Sequence, residues 1–376
     1  MRLLFIFGTR PEAIKLAPLV KAFSRADDFS VKVCITAQHR QMLDQVMDFF
    51  HIKADYDLDI MKHQQSLFDV TADGLKKLEA VIDDAKPELI FVQGDTTTAF
   101  IGALAGYYKK VKIAHIEAGL RSGNKMSPFP EEMNRIMTGH IADYHFAPTI
   151  QAGENLAKEN ISEYLFVVGN TVIDALFLGL DIIRNRDEEF KRKFTFLSET
   201  RRMVLITGHR RESFGKPFEN ICNAIHRLAV KNKSVDFIYP VHLNPNVQEP
   251  VNRILAGLPN VHLIAPMDYP EFIWMMNRAY LVLTDSGGLQ EEAPSLGKPV
   301  LVMRDVTERK EGVDAGTAKL VGTDEETIVN EMQKLLDDSV YYEGMAKAVN
   351  PYGDGKACDR IVEIVRKTKN VLNSGI

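Results

Sequence analysis

Two open parallel sheets, each covered by helices on both faces, are what this sequence predicts, and three observations predict them. Short apolar runs alternate with amphipathic stretches from one end of the chain to the other. The runs are apolar throughout rather than every second residue, so they read as strands buried on both sides, as in a parallel sheet. The pattern also starts afresh halfway. Phe5-Ile6-Phe7-Gly8-Thr9-Arg10-Pro11-Glu12 is echoed by Leu205-Ile206-Thr207-Gly208-His209-Arg210-Arg211-Glu212. Each copy reads as an apolar strand running into G-x-R-x-E and then a helix.

Taken in order, 3–7, 31–36, 89–93, 112–116 and 144–147 are the strands of the first half. The stretches 11–23, 67–83 and 97–108 carry apolar residues at three- and four-residue spacing, the period of a helix with one buried face. Segment 184–202 is dense in charge (Arg186, Asp187, Glu188, Glu189, Lys191, Arg192, Lys193) and reads as a solvated helix and loop at the linker. Strands resume at 203–207, 237–241, 261–264, 281–284 and 300–303, with helices at 218–230, 269–277 and 325–336. A last helix, 356–371, is opened by Asn350-Pro351-Tyr352-Gly353-Asp354-Gly355.

Length and composition agree with this outline. The chain has 376 residues, and at about 150 per domain that is two or three domains. With 45% hydrophobic and 26% charged residues it is globular, neither disordered nor fibrous. Lys and Arg total 46 against 51 Asp and Glu, a net charge of −5. No basic excess exists to hold a nucleic acid. Cys34, Cys222 and Cys358 stand far apart with no CxxC, so neither a disulfide framework nor a metal site is expected. The apolar run before Gly8 is too short for a signal peptide, and no run approaches the roughly 18 residues that span a bilayer. The expectation is a soluble, cytoplasmic protein.

Ligands of open α/β sheets collect beyond the carboxyl ends of the strands. After the first strand, Gly8 permits a tight turn and Pro11 suits a first helical turn. Arg10 and Lys15 then lie near a helix N-terminus that attracts anions, unless they only cover surface. No GxGxxG follows, so a dinucleotide fingerprint is absent. Asp95, in Gly94-Asp95-Thr96-Thr97-Thr98, reads either as the next helix's N-cap or as a site carboxylate. Glu117 ends a buried strand and needs a partner or a raised pKa. Glu131 and Glu132 open a helix, where the dipole alone explains them. Three carboxylates at successive strand ends nevertheless point to one site.

In the second half His209 follows a strand, as a structural or a functional histidine. Thr284-Asp285-Ser286-Gly287-Gly288-Leu289-Gln290-Glu291-Glu292 reads as a strand end, a turn and a helix whose free N–H groups meet a phosphate. Glu292 lies one helical turn past Gly288, placed to accept from ribose hydroxyls, and Arg309 supplies a charge clamp for a diphosphate. These features alone describe a two-domain α/β protein that binds a nucleotide diphosphate compound between its halves, with acid/base carboxylates on the first half.

Longer motifs carry a resemblance. GTRPEAIK at 8–15, GDTTT at 94–98, HIEAGLRSG at 115–123 and PFPEEMNR at 128–135 resemble the non-hydrolysing UDP-N-acetylglucosamine 2-epimerases. So do TGHRRESFG at 207–215, YPVHLNPNV at 239–247 and TDSGGLQEEAPSLGKPVLVMRD at 284–305. The resemblance implies two Rossmann-like domains around a central cleft, as in GT-B glycosyltransferases. It places the domains at 1–170 and 171–364, with the final helix, 365–376, packing back on the first. It also implies a homodimer without metal or redox cofactor that interconverts UDP-GlcNAc and UDP-ManNAc for bacterial surface polysaccharide.

Position by position, Asp95, Glu117, Glu131 and His209 match the family's catalytic residues. Arg10, Lys15, Phe272, Ser286, Gly287, Gly288, Glu292 and Arg309 match contacts to UDP or substrate. Gln38, His39, Gln41, Arg210 and His242 fit a second, activating UDP-GlcNAc site, although Gln64 stands where an arginine is common. Met267, Val306 and Lys310 also depart from the family pattern, away from the chemistry. The resemblance leaves three rivals: a hydrolysing enzyme releasing ManNAc, a glycosyltransferase and a non-catalytic sensor.

Overall fold

The computed structural model describes residues 1–36, 40–60 and 66–372. The chain divides into two compact units, Met1–Leu178 with Tyr352–Ile376, and Gly179–Pro351. The first holds β1 (Arg2–Phe7), α1 (Arg10–Ser24), β2 (Ser30–Ile35), α2 (Arg40–Phe49), β3 (Tyr56–Asp57), α3 (Leu67–Ala85) and β4 (Leu89–Gln93). It continues with α4 (Thr97–Tyr108), β5 (Lys112–Ile116), α5 (Glu131–Ile141), β6 (Tyr144–Ala147), α6 (Ile150–Lys158), β7 (Leu165–Val167) and the first part of α7 (Thr171–Ile183), whose last residues belong to the second unit.

The second unit runs α8 (Asp187–Lys193), β8 (Arg202–Thr207), α9 (Lys216–Lys231), β9 (Val235–Pro240), α10 (Pro245–Leu255), β10 (Val261–Ile264) and α11 (Tyr269–Arg278). Next come β11 (Leu281–Thr284), α12 (Gly287–Ser295), β12 (Val300–Val302), α13 (Lys310–Asp314), β13 (Ala318–Leu320), α14 (Glu325–Asp337) and α15 (Ser339–Ala346). The chain then returns to the first unit as α16 (Ala357–Leu372).

Both sheets are parallel, in the orders β3-β2-β1-β4-β5-β6-β7 and β10-β9-β8-β11-β12-β13. Each is doubly wound, and strand order reverses beside its first strand: between β1 and β4, and between β8 and β11. At such a reversal the following loops part and open a crevice at the strand carboxyl ends. The helices cover both faces, which is why Leu3 to Phe7 and Met203 to Ile206 are buried throughout. Phe5 stacks on Phe91 of the neighbouring strand at 4.6 Å between centroids. Truncating such a side chain to alanine costs about 3–5 kcal/mol.

Both G-x-R-x-E copies lead into a helix, but differently: α1 begins at Arg10 within the first, whereas the second passes through a single 3-10 turn, Arg211–Ser213, before α9 begins at Lys216. The glutamates explain the difference. Glu12 turns back to accept the N–H groups of Gly8 and Thr9 at 3.1 and 2.8 Å, whereas Glu212 accepts from Arg304 at 2.8 Å. The charged linker is not merely solvated. Phe190 of α8 is buried against Trp274, 5.3 Å between centroids, and the Trp274 indole donates to Asp187. The two compact units part after Leu178 and before Tyr352. Asp174 of α7 accepts the N–H groups of Ala357 and Cys358, tying that helix and the returning chain together. Among the described residues no helix is long and apolar enough to cross a membrane.

Candidate functional site

At the crevice of the first sheet, the loop after β1 is fixed by the buried Glu12 carboxylate, which also accepts from Thr96 Oγ1 at 2.6 Å. Burial raises its pKa, against the hydrogen bonds that Thr96, Thr9 and Gly8 supply. Gly8 has no room for a side chain: a Cβ there would lie 1.9 Å from Thr36 Oγ1. Arg10 and Lys15 follow on α1, both half-buried.

Lys15 reaches the next strand end. Its ammonium lies 2.5 Å from Glu117 Oε1, which also accepts from Asn170 Nδ2 at 3.1 Å, while Gln93 donates to Oε2. The partner that a carboxylate at the end of a buried strand requires is thus a cation from α1 and two amides. Gln93 and Asn170 were not singled out from the sequence for this role, and Asn170 lies 53 residues away. Glu117 itself has φ +63°, a left-handed backbone conformation.

Asp95 is not the cap of α4. Thr96 is, accepting from Ala99 N–H at 3.0 Å. The Asp95 carboxylate is paired instead with Arg135 of α5, and Asn134 donates to its main-chain carbonyl at 3.0 Å. Arg135 also lies 3.2 Å from Glu132, whose buried carboxylate accepts the N–H groups of Ser122 and Gly123. Glu131, first in α5, has one inaccessible carboxylate oxygen, Oε2, without a hydrogen-bond partner. Beneath this loop, His115 of β5 is fully buried and its Nε2 meets the Gly94 carbonyl at 2.7 Å. Burial holds its pKa down at about 4.

At the second sheet's crevice, His209 lies half exposed on the loop after β8. Its ring stacks on that of His242, 5.1 Å between centroids and 10° from parallel. Ser286 begins α12 without a side-chain cap, leaving Gly287 and Gly288 in the first turn. The guanidinium of Arg309 lies over this turn, 3.6 Å from where a Cβ on Gly287 would stand, and donates to Glu291 at 2.7 Å. Glu292 Oε2 is 3.7 Å from the corresponding point on Gly288. Phe272 is half-buried in α11. The turn, one arginine and one carboxylate are therefore gathered at one helix end, where a diphosphate and its ribose can be held.

Of the residues expected at a second nucleotide-sugar site, Gln38 and His39 lie outside the described residues, as does Gln64. Gln41 is exposed on α2. Arg210 shares the His209 loop, and its main-chain N–H donates to Asp285. Asp285 itself was given no role in the sequence reading, and nothing in the order of the residues links it to His209.

A model of the UDP-N-acetylglucosamine 2-epimerase family matches residues 21–366. The chain is 54% identical to the UDP-N-acetylglucosamine 2-epimerase of Salmonella typhimurium, over 97% of this chain and 98% of that protein. Its structure is similar to the UDP-GlcNAc 2-epimerase of Neisseria meningitidis bound to UDP-GlcNAc, with TM-score 0.89, 48% identity, and 98% and 100% of the two chains covered. A sucrose-phosphate synthase from Thermosynechococcus elongatus, only 13% identical, shares the GT-B-like fold at TM-score 0.64, with 99% and 100% covered.

Proposed function

The chain belongs to the UDP-N-acetylglucosamine 2-epimerase family and is an isomerase of that class, and from that premise we propose that it interconverts UDP-GlcNAc and UDP-ManNAc by elimination and re-addition of UDP. The C2 proton of an N-acetylglucosaminyl unit is hardly acidic, so its direct abstraction is a poor route. Breaking the C1–O bond to UDP as H2 leaves to a base gives 2-acetamidoglucal and UDP. Re-adding UDP at C1 while an acid protonates the other face of C2 inverts that carbon. The sequence is redox-neutral, so it needs no electron carrier.

Such a path requires a base and an acid on opposite faces of the sugar and a firm hold on the departing diphosphate. In this reading Asp95 and Glu131 handle the C2 protons and Glu117 supports them. His209, Arg10, Arg309 and the Ser286–Gly288 turn take the charge developing on UDP, with Phe272, Glu292 and Lys15 as further contacts. The observation that carries the reading is the set of carboxylates at one sheet edge. Two of them are paired with cations, Glu117 with Lys15 and Asp95 with Arg135, and Glu131 keeps a buried oxygen without a partner. A homodimer that supplies ManNAc-type sugars for surface polysaccharide rests on the family alone.

Proton NMR of the protein with UDP-GlcNAc in D2O tests this. UDP-ManNAc appearing with deuterium at C2 is expected. Free ManNAc and UDP would replace the reading with hydrolysis, and an unchanged spectrum with UDP-GlcNAc bound would remove catalysis from it.

A further inference from the structure

Asp285 follows β11 directly, its N–H donating to the Thr207 carbonyl at 3.1 Å, and it is 2% exposed. One carboxylate oxygen, Oδ2, accepts the N–H groups of His209 and Arg210 at 2.6 and 2.8 Å. The other, Oδ1, is inaccessible and has no hydrogen-bond partner. It faces His209 Nδ1 at 3.6 Å.

We propose that Asp285 is the positioning residue of His209, fixing its loop through one oxygen and its ring tautomer through the other. A buried carboxylate oxygen left unpaired is costly, so its location asks for a donor. The imidazole of His209 faces that oxygen and can carry a proton on the nitrogen nearest to it. At 3.6 Å the contact is longer than a hydrogen bond. A modest rotation of the half-exposed ring closes it, as catalytic hydrogen bonds close when ligand binds.

The surroundings leave the ring as the part that moves. Tyr239 Oη donates to the Gly208 carbonyl at 2.9 Å, and a Cβ on Gly208 would lie 3.0 Å from that hydroxyl. Thr207 and Thr284 share a hydroxyl bond of 2.6 Å that locks the two strand ends. His242, stacked on His209, accepts the Asn244 N–H at its Nδ1, so its own proton lies on Nε2. It offers no competing acceptor at His209 Nδ1.

With Nδ1–H directed at Asp285, Nε2 of His209 is the nitrogen turned outward. The Asp285 carboxylate then favours positive charge developing on the ring, whose outward nitrogen faces the diphosphate as its charge grows. This inference rests on the role of His209 proposed above, and its test separates the two.

The test uses the full chain labelled with 15N in histidine and saturated with UDP, and two-bond 1H–15N spectra report which nitrogen of His209 is protonated. The expected result is a protonated Nδ1. In Asp285→Asn the amide oxygen still accepts the two main-chain N–H groups while its NH2 faces Nδ1, so the neutral Nε2–H form is expected. There kcat falls roughly 100- to 10,000-fold, with KM for UDP-GlcNAc changed by less than a few-fold. A bare Nδ1 in the unsubstituted protein overturns the proposal without need of the variant. So does an Asn variant that keeps the original tautomer and kcat. Full turnover by His209→Ala, with Nδ1 protonated in the parent, would refute the catalytic role of His209 and leave the pairing standing.

Discussion

Glu117 and Asp95 show how carboxylates beyond the ends of buried strands are partnered. Glu117 takes a left-handed backbone, which costs a non-glycine residue about 1–2 kcal/mol, and gathers Lys15, Gln93 and Asn170 around its oxygens. With side chains 16% and 6% exposed, the Lys15–Glu117 pair is shielded from water. Removing one member of such a pair leaves the other's charge poorly compensated. Lys15→Met is therefore expected to lose about 3 kcal/mol of stability in urea unfolding, and Lys15→Met with Glu117→Gln to lose less than the single change. A double variant whose loss equals the sum of the Lys15→Met and Glu117→Gln losses would mean that the two charges are not coupled. Arg135 acts on Asp95 in the same way, and α5 brings it there. Arg135→Met is expected to lower kcat roughly 100-fold, the scale of a misplaced reacting group, with UDP affinity retained. Calorimetric titration with UDP beside the rate assay checks both parts.

At the scale of elements, β5 and β6 place His115 directly opposite His145 in register. Burial pushes both imidazoles down to about 4, and both Nδ1 atoms are inaccessible and unpartnered. Above the ordinary value of 6.5 both are neutral folded or unfolded, and stability is undiminished. Between 6.5 and about 4 the unfolded chain takes up protons that the folded chain refuses, so stability falls as the pH falls. From pH 7 to pH 5 each histidine contributes about 2 kcal/mol of that loss, so His145→Gln should lose correspondingly less than the parent. Parallel urea titrations at the two pH values decide it.

The strands that bear these residues were legible as short, mostly apolar runs. β3, β7 and β13 were not, with two or three residues apiece and no pattern to detect. The candidate site was legible as residues following strands, but not as pairings. The same loop after the first strand of each sheet is held by Glu12 of its own helix in one unit and by Asp285, from another strand end, in the other. Only folded geometry distinguishes a carboxylate four residues away from one seventy-six residues away.

On the scale of the whole molecule, the first unit is built from both ends of the chain, so its stability depends on how firmly the returning segment is held. The Tyr352 carbonyl accepts the Asn170 N–H at 2.7 Å, and Arg366 pairs with Asp28 at 3.1 Å on the surface. Exposed pairs of that kind contribute about 0–1 kcal/mol. Asp174 matters more, because it is buried and accepts the first N–H groups of α16, from Cys358 at 2.8 Å and Ala357 at 3.3 Å. Burial raises its pKa, against those same bonds. Asp174→Ala would leave two buried donors at a helix start without an acceptor, at about 1–3 kcal/mol each. Ile361 and Val365, fully buried on α16, would then hold the helix together with the Arg360 and Arg366 contacts. The expected outcome is a loss of about 2–4 kcal/mol confined to the first unit, read by hydrogen exchange as faster exchange in α1, α7 and α16. Amides of β8, β9 and β11 should exchange as before. Equal acceleration in both units would show instead that they unfold as one cooperative body, and that the boundaries at Leu178 and Tyr352 divide the structure without dividing its stability.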